Sequence, residues 1–341
     1  MRLSELYWHR ITPLHLLLWP LSIMYRLFIL IKKACYWLDI FHAVKLPVPV
    51  IVIDSASIND GGKTPLLLWL VDCLLTQGFS PAIITRDNAG HSGLPGPAAL
   101  DNSHRHYDAK TLTLLLAQHC GKSCPVWSGN DNVAVAKAML EANPACNIIL
   151  CSGGLQDFRL ERDIEVIVVD FNEQSLGNGL LLPAGPLRVS LDSFNNDSLV
   201  VTNSNPGYRN DFENRKTYNM KLFHEIAYQL EKPEIQRSIP DFRNVRLHAV
   251  ADVDNFPWLY EVLMKAGINA EFHTCAENHR FVPQDIDFPE ADIVLMPEEN
   301  ALQCQDFAHD KLWALPQKAW IDAELQHALL NKLRIAPVQR N

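Results

Sequence analysis

Short apolar runs alternate with stretches of helical length along most of the chain. Val48–Asp54 (VPVIVID) is apolar and rich in β-branched residues, which predicts a buried strand. Leu66–Gln77 follows it as an apolar stretch of helical length and ends at Gly78. Further predicted elements are strand Ala82–Thr85, helix Asn130–Ala142, and strands Asn147–Cys151, Glu165–Asp170 and Leu199–Thr202. This alternation predicts an α/β fold with a mostly parallel sheet and helices on both faces.

A second, smaller α/β lobe is predicted near the C-terminus. Residues 204–245 are polar with few apolar runs, and we interpret them as a crossing between two lobes. Strand and helix patterns then resume: strand Leu247–Ala251, helix Pro257–Ala266, strands Glu271–Thr274, Asp292–Met296 and Leu312–Leu315, and helix Ala323–Leu333. The predicted organisation is an N-terminal segment at 1–45, a first α/β domain at 46–203, the crossing at 204–245 and the smaller lobe at 246–341.

The N-terminal segment differs from the rest of the chain in charge and hydropathy. Residues 1–50 hold six Lys or Arg and two acidic residues, whereas the whole chain has a formal net charge of −9. They also hold three of the eight Trp and three of the eight Tyr. Pro20 and Arg26 interrupt the run of about 20 apolar residues that a spanning helix needs. We interpret residues 1–45 as an amphipathic helical segment in a membrane interface, with a helical pair packed on the protein's own core as the alternative.

Composition excludes two broad classes. With 341 residues, 48% of them hydrophobic and 20% charged, the chain is a folded protein of about two α/β domains. Its net charge of −9 argues against a protein that binds nucleic acid through bulk electrostatics. The eight cysteines are scattered without a CxxC pair, which indicates a reducing compartment rather than a disulfide framework.

The strongest chemical signal lies between the first predicted strand and the first predicted helix. A strand, then Gly-Gly-Lys-Thr, then a helix is the context of a phosphate-binding loop. Backbone N–H groups at a helix N-terminus attract an anion, the Lys63 ammonium can reach nucleotide phosphates, and the Thr64 hydroxyl can hold Mg²⁺. The first glycine of the GxxxxGK[ST] pattern falls on a serine, so an ordinary turn before a helix is the alternative. The candidate ATP-binding residues are Ser57, Ile58, Asn59, Asp60, Gly61, Gly62, Lys63 and Thr64.

Residues 177–188 (GNGLLLPAGPLR) resemble a segment typical of the tetraacyldisaccharide 4'-kinase family, the lipid A 4'-kinases. Other segments follow in that family's order: Pro47–Asp54, Gly62–Pro65, Gly154–Leu160, Arg162–Asp170, Ala276–Phe281 and Glu298–Leu302. The resemblance implies a P-loop kinase that uses ATP and Mg²⁺ to phosphorylate the 4'-hydroxyl of a lipid disaccharide, tetraacyldisaccharide 1-phosphate. It also implies peripheral or monotopic attachment to the cytoplasmic face of the bacterial inner membrane. The sequence identifies no protein partner.

The chain departs from the family pattern at motifs that carry chemistry. Members usually carry GGxGKTP, SRGYGG, GDE and DDGxQH, where this chain has NDGGKTP at 59–65, TRDNAG at 85–90, KTL at 110–112 and SGGLQD at 152–157. Paired carboxylates at the end of a strand beside a phosphate loop are where Mg²⁺ and the attacking hydroxyl are managed. Their loss favours, as an alternative function, a pseudokinase of the same fold that binds nucleotide or lipid at the membrane.

Three side chains outside the loop are further candidates. Asp157 is a candidate replacement acid, with an ordinary surface carboxylate as its alternative. His279, in the motif AENHRF, is a candidate catalytic residue that contacts substrate or phosphate, with a structural histidine as its alternative. Arg86 follows the second strand, where ligands meet an open parallel sheet, and is a candidate anion contact. Asp170 ends a strand, and we interpret it as structural.

Overall fold

The computed structural model describes Trp8 and residues 12–58, 61–86, 96–100, 111–121, 123–171, 176–203, 215–276 and 279–335. These residues divide between two compact units. The first unit contains the chain up to Ala109, Leu116–Lys221, and the residues from Ala319 onward. The second unit contains Lys110–Leu115 and Leu222–Lys318.

A nine-stranded sheet forms the core of the first unit. Its strands are β1 (Val50–Ser55), β2 (Pro81–Arg86), β3 (Ala98–Leu100), β4 (Val126–Gly129), β5 (Ile148–Ser152), β6 (Ile164–Asp170), β7 (Leu199–Asn203), β8 (Thr217–Phe223) and β15 (Lys318–Ile321). Their order across the sheet is β15-β8-β7-β6-β1-β5-β2-β4-β3. The neighbouring strands from β8 to β4 pair in parallel, and β3 pairs antiparallel to β4. The predicted mostly parallel sheet is confirmed.

Seven α-helices lie in the described part of the chain: α1 (Leu14–Trp37), α2 (Lys63–Thr76), α3 (Thr111–Cys120), α4 (Asn132–Ala142), α5 (Phe256–Lys265), α6 (Glu298–Leu302) and α7 (Ala323–Ile335). Helix α4 begins at Asp131, whose side chain accepts the N–H groups of Val133 and Ala134. Val133 and other side chains of α4 form one hydrophobic cluster with Val50 and Val52 of β1. The alternate β1 residues are also fully buried, so both faces of this central strand are covered.

A six-stranded sheet forms the second unit, which confirms the predicted smaller α/β lobe. Its strands are β9 (Ile226–Gln229), β10 (Gln236–Ser238), β11 (Leu247–Asp252), β12 (Ala270–Cys275), β13 (Ile293–Pro297) and β14 (Leu312–Leu315), in the order β10-β9-β14-β13-β11-β12. The four strands from β14 to β12 are parallel neighbours, whereas β9 and β10 pair antiparallel. Leu259 and Leu263 of α5 pack with Leu247 and Leu295 in the core of this unit.

The two units differ in extent from the predicted boundaries. Within the predicted crossing, residues 217–223, 226–229 and 236–238 form strands. Strand β8 buries Tyr218 and Met220 but exposes Asn219 and Lys221, so its composition is polar although it belongs to the sheet. The C-terminal helix belongs to the first unit: Lys216 pairs with Glu324 at 2.7 Å. Polar composition therefore marks one-sided strands here as well as a connection.

Helix α1 presents apolar side chains to solvent. It is 24 residues long with Pro20 inside it. Large apolar side chains recur at a spacing of three or four residues along one face and are about half or more exposed: Leu17 70%, Leu21 47%, Met24 65%, Phe28 64% and Ile31 54%. Polar side chains on another face, those of Ser22, Tyr25 and Lys32, form hydrogen bonds with the rest of the first unit. Within the described residues, no helix combines the length and the hydropathy needed to cross a membrane.

Candidate functional site

The loop between β1 and α2 has the backbone shape that its glycines allow. Gly61 and Gly62 have φ of 61° and 92°, in the left-handed region that side chains other than glycine rarely adopt. A Cβ added to Gly61 would also lie 3.3 Å from the Cβ of Asp170 and 3.4 Å from the Ser55 hydroxyl. Lys63 and Thr64 are the first two residues of α2, and Thr64 is buried. Predicted loop residues Asn59 and Asp60 lie outside the described residues.

The other predicted loop residues, Ser57 and Ile58, are held by the segment at 177–188. The Ile58 N–H donates to the Pro186 carbonyl at 3.0 Å, and the Arg188 N–H donates to the Ala56 carbonyl at 2.9 Å. Ser57 forms an isolated antiparallel bridge with Leu187. The structure therefore brings residues 56–58, which lead into the Gly-Gly-Lys-Thr sequence, into direct contact with the most distinctive segment of the chain.

Asp54 is a buried carboxylate at the end of β1 that sequence reasoning did not single out. Its Oδ2 accepts the N–H groups of Gly154 and Leu155, each at 3.0 Å, and its Oδ1 accepts the Ser55 N–H at 2.8 Å. The Arg188 guanidinium lies 3.7 Å from Oδ1. The available signal was an acidic residue closing an apolar strand at the carboxyl edge of a parallel sheet, where ligands meet such sheets.

The structure brings Asp157 and Arg86 together, as two of the predicted candidates. Arg86 Nη1 lies 4.0 Å from Asp157 Oδ2, and the buried Asn132 amide donates to the same oxygen at 3.2 Å. Asp157 Oδ1 accepts the Arg159 N–H at 3.3 Å. The side chain of Asp157 is 13% exposed, less than an ordinary surface carboxylate. It thus lies at the turn after β5, next to a cation.

The thiol of Cys151 connects these groups electrostatically. Burial raises the pKa of the Cys151 thiol to about 12. The positive charges of Arg162 and Lys63 oppose this rise, and the negative charges of Asp54 and Asp157 add to it. Cys151 Sγ donates to the Gly153 carbonyl at 3.0 Å. The thiol therefore stays protonated at neutral pH and serves as a hydrogen-bond donor rather than a nucleophile.

The oxygen-rich donor set at this edge of the sheet suits Mg²⁺, which prefers hydroxyl and carboxylate ligands and retains several waters. Thr64 offers a hydroxyl, the carboxylates of Asp54 and Asp170 lie at the ends of β1 and β6, and that of Asp157 lies in the turn after β5. The end of β5 itself carries Ser152 and Gly153. A Cβ on Gly153 would have no heavy atom within 4 Å, so a side chain has space there, but the φ of 81° at Gly153 makes it strained.

His279 lies in the second unit and has an acidic partner there. His279 Nε2 is 2.7 Å from Asp285 Oδ2, and the His279 ring meets Phe281 edge-to-face at 5.1 Å between ring centroids. Asp285 also accepts the Val282 N–H at 2.9 Å, which fixes the carboxylate. His279 is thus an oriented, half-buried imidazole within its own unit. Its motif neighbours at 277 and 278 lie outside the described residues.

A parallel sheet whose central strand leads through a left-handed glycine pair into a helix beginning Lys-Thr defines an α/β protein of the phosphate-loop class. The family described as tetraacyldisaccharide-1-P 4'-kinase matches residues 14–334. The chain therefore belongs to this family of kinases.

Relatives and a solved structure agree with that assignment. A tetraacyldisaccharide 4'-kinase of Nitrosomonas eutropha is 39% identical over 338 residues, covering 98% of this chain and 84% of the relative. One of Nitrosomonas europaea is 36% identical, covering 97% and 83%. A crystal structure of LpxK from Aquifex aeolicus in complex with ATP matches with a TM-score of 0.78 and 19% identity, covering 92% of this chain and 98% of that one. The likeness to that structure supports the fold.

Proposed function

We propose that the protein is an ATP-dependent kinase that phosphorylates the 4'-position of tetraacyldisaccharide 1-phosphate in lipid A biosynthesis. The observation that carries this proposal is the contact between the phosphate loop and the segment at 177–188, the most distinctive family motif in the chain. Family membership and relatives named tetraacyldisaccharide 4'-kinase support the substrate.

Each part of the site has a role in this proposal. The loop amides and the Lys63 ammonium bind the nucleotide phosphates, and the Thr64 hydroxyl holds Mg²⁺, which neutralises charge on the phosphates when bound. Arg86, at the end of β2, lies 4.0 Å from Asp157 in the turn after β5, and Asp157 is the candidate acid. His279, oriented by Asp285, is the candidate that meets substrate or phosphate. Phosphoryl transfer depends mostly on positioning and on neutralising charge, and the loop, Arg86 and Asp157 of the first unit provide groups for both.

The second candidate function is a pseudokinase of the same fold. The observation that favours it is the end of β5, where Ser152 and Gly153 place no carboxylate. Nucleotide binding in the ground state uses loop amides and Lys63 and does not need those carboxylates, whereas the transition state does. The purified full chain, incubated with Mg²⁺, labelled ATP and the disaccharide lipid, separates the two functions. Label transferred to the lipid supports the kinase, and bound ATP without transfer supports the pseudokinase.

We also propose that α1 attaches the protein to the anionic cytoplasmic face of the inner membrane. The support is the exposed apolar face of α1 together with the excess of Lys and Arg in residues 1–50. Deleting residues 1–40 should move the protein from the membrane to the soluble fraction. A truncated chain that still sediments with membranes would place the attachment elsewhere.

A further inference from the structure

The mechanism proposed above assigns no role to Asp54, the buried carboxylate at the phosphate loop. Asp54 is only 5% exposed and is held by three backbone N–H groups, from Ser55, Gly154 and Leu155. Removing a carboxylate from water is costly unless hydrogen bonds and a counter-charge compensate. The four β1 residues before Asp54, at 50–53, are apolar, so a carboxylate here is not required for packing the strand.

Arg188 supplies the counter-charge and joins Asp54 to the phosphate loop. Arg188 Nη1 lies 3.7 Å from Asp54 Oδ1, and Arg188 Nη2 donates to the Ile58 carbonyl at 3.3 Å. The backbone of Arg188 also bonds to the loop, through its N–H to Ala56. A guanidinium has five N–H donors in a rigid fork, and the side chain of Arg188 is 39% exposed. Part of the cation therefore remains accessible to a phosphate at the loop.

The turn after β5 is the second structure that Asp54 fixes. Ile53 pairs in register with Ser152, and the Gly153 N–H donates to the Ile53 carbonyl at 2.8 Å. This register places Asp54 beside the turn that carries Gly154 and Leu155. Asp54 thus ties together the turn, the phosphate loop and Arg188 through one side chain.

We propose that Asp54 is a positioning residue for phosphoryl transfer: its carboxylate fixes the turn at 153–155 and the Arg188 guanidinium, so that Arg188 contacts the phosphates of the nucleotide. The inference rests on the proposed kinase function and deepens it. The ion pair with Asp54 at 3.7 Å holds the guanidinium through charge, and its hydrogen bond to the Ile58 carbonyl adds a direction. A neutral amide at position 54 keeps the shape but loses the charge that attracts Arg188, and the guanidinium then has several orientations.

A double-mutant cycle in the full-length protein tests this coupling. Asp54→Asn, Arg188→Met and the double variant are compared for kcat and KM with MgATP, for calorimetric ATP affinity and for Tm. Each single variant should lower kcat/KM by about 10- to 100-fold, the scale of one preorganised group. The kcat/KM of the double variant should match that of the less active single variant within about threefold, because the two residues act as one unit.

Asp163→Asn is the matched control. Asp163 Oδ2 accepts the Val50 N–H at 2.8 Å, at the opposite end of the same strand, β1. This control reports the cost of losing a carboxylate that only holds backbone, so it should lower Tm and leave kcat/KM unchanged. If Asp54→Asn behaves like Asp163→Asn, the positioning role is wrong. If the effects of Asp54→Asn and Arg188→Met multiply in the double variant, the coupling is absent and the proposal also fails.

Failure of the kinase proposal is separable from failure of this one. A parent protein that binds ATP without transferring phosphate overturns the kinase function, and the same cycle on ATP affinity then decides the coupling of Asp54 with Arg188. A parent that binds no ATP overturns both. Should Asp54→Asn fail to fold, Asp54→Ser, which is smaller than the parent side chain, replaces it in the cycle.

Discussion

The phosphate loop and the end of β5 are neighbouring parts of one site, and they depend on different properties of the chain. The loop binds through backbone N–H groups that Gly61 and Gly62 shape, together with the cation of Lys63. The end of β5 would act through carboxylate side chains, but Ser152 and Gly153 occupy it. A site made from backbone tolerates changes of side chain, whereas a site made from side chains does not. Nucleotide binding and turnover can therefore diverge independently in this protein.

The largest expected effect comes from the loop cation. Lys63→Ala should weaken ATP binding by at least about tenfold and lower any turnover by about 100- to 1,000-fold, because a preorganised charge at the phosphates is lost. Calorimetry and the labelled-ATP assay measure the two quantities. Lys45→Ala is the matched control, since Lys45 is an exposed lysine paired with Glu161 at 3.4 Å. Equal ATP affinity of Lys63→Ala and the parent would mean that this loop is not a nucleotide site.

The second prediction restores side chains at the end of β5. The double change Ser152→Asp with Gly153→Asp should raise the rate of phosphate transfer by up to about a hundredfold, with little change in ATP affinity. The parent should accordingly show weak 4'-kinase activity, lower than that of the restored variant by up to about a hundredfold. Ser152→Asn with Gly153→Asn carries the same shapes without charge and should give no gain. Turnover by the parent as high as that of the restored variant would show that another group, with Asp157 as the first candidate, holds the metal.

The third prediction concerns Asp157, which tests whether a displaced acid compensates for β5. Asp157→Asn should lower turnover by about tenfold and leave ATP affinity unchanged, because the amide keeps a hydrogen-bonding oxygen but loses the charge beside Arg86. Asp131→Asn serves as control, since Asp131 caps α4 and pairs with Arg159 at 2.9 Å. Unchanged kcat in Asp157→Asn would leave Asp157 as a structural carboxylate.

The smallest effect is on stability and sharpens the backbone side of the comparison. Gly61→Ala and Gly78→Ala both place a side chain at positive φ, 61° and 80°, and each should cost about 1 kcal/mol of unfolding free energy. Gly78 lies just after the C-terminal end of α2, away from the loop, and a Cβ added to it would have no heavy atom within 4 Å. Thermal unfolding should give similar losses, with reduced ATP affinity in Gly61→Ala alone. Reduced affinity in both variants would trace the effect to general destabilisation.

The sequence predicted the elements with strong periodicity and missed those that are short or one-sided. Predicted strand Val48–Asp54 is observed as Val50–Ser55, since an apolar β-branched run carries a clear signal. Strand β4 has only the four residues VWSG, too few for a period to show. In the site, a local motif predicted Lys63 and Thr64. Asp54 and Arg188 were missed because their importance arises from a contact between residues 134 positions apart in the chain, which only the fold establishes.

The hydrogen bonds of α1 connect the proposed membrane-binding helix to residues beside the phosphate loop. Tyr25 and Lys32 bond to Gln156, in the turn after β5, and the Gln156 amide donates to the Arg188 carbonyl. If lipid binding to α1 strengthens ATP binding through these bonds, thermodynamic linkage requires that ATP strengthen lipid binding by the same factor. Vesicles or detergent micelles would then act as effectors of ATP affinity, and a soluble truncated form would describe a different equilibrium from that of the full chain.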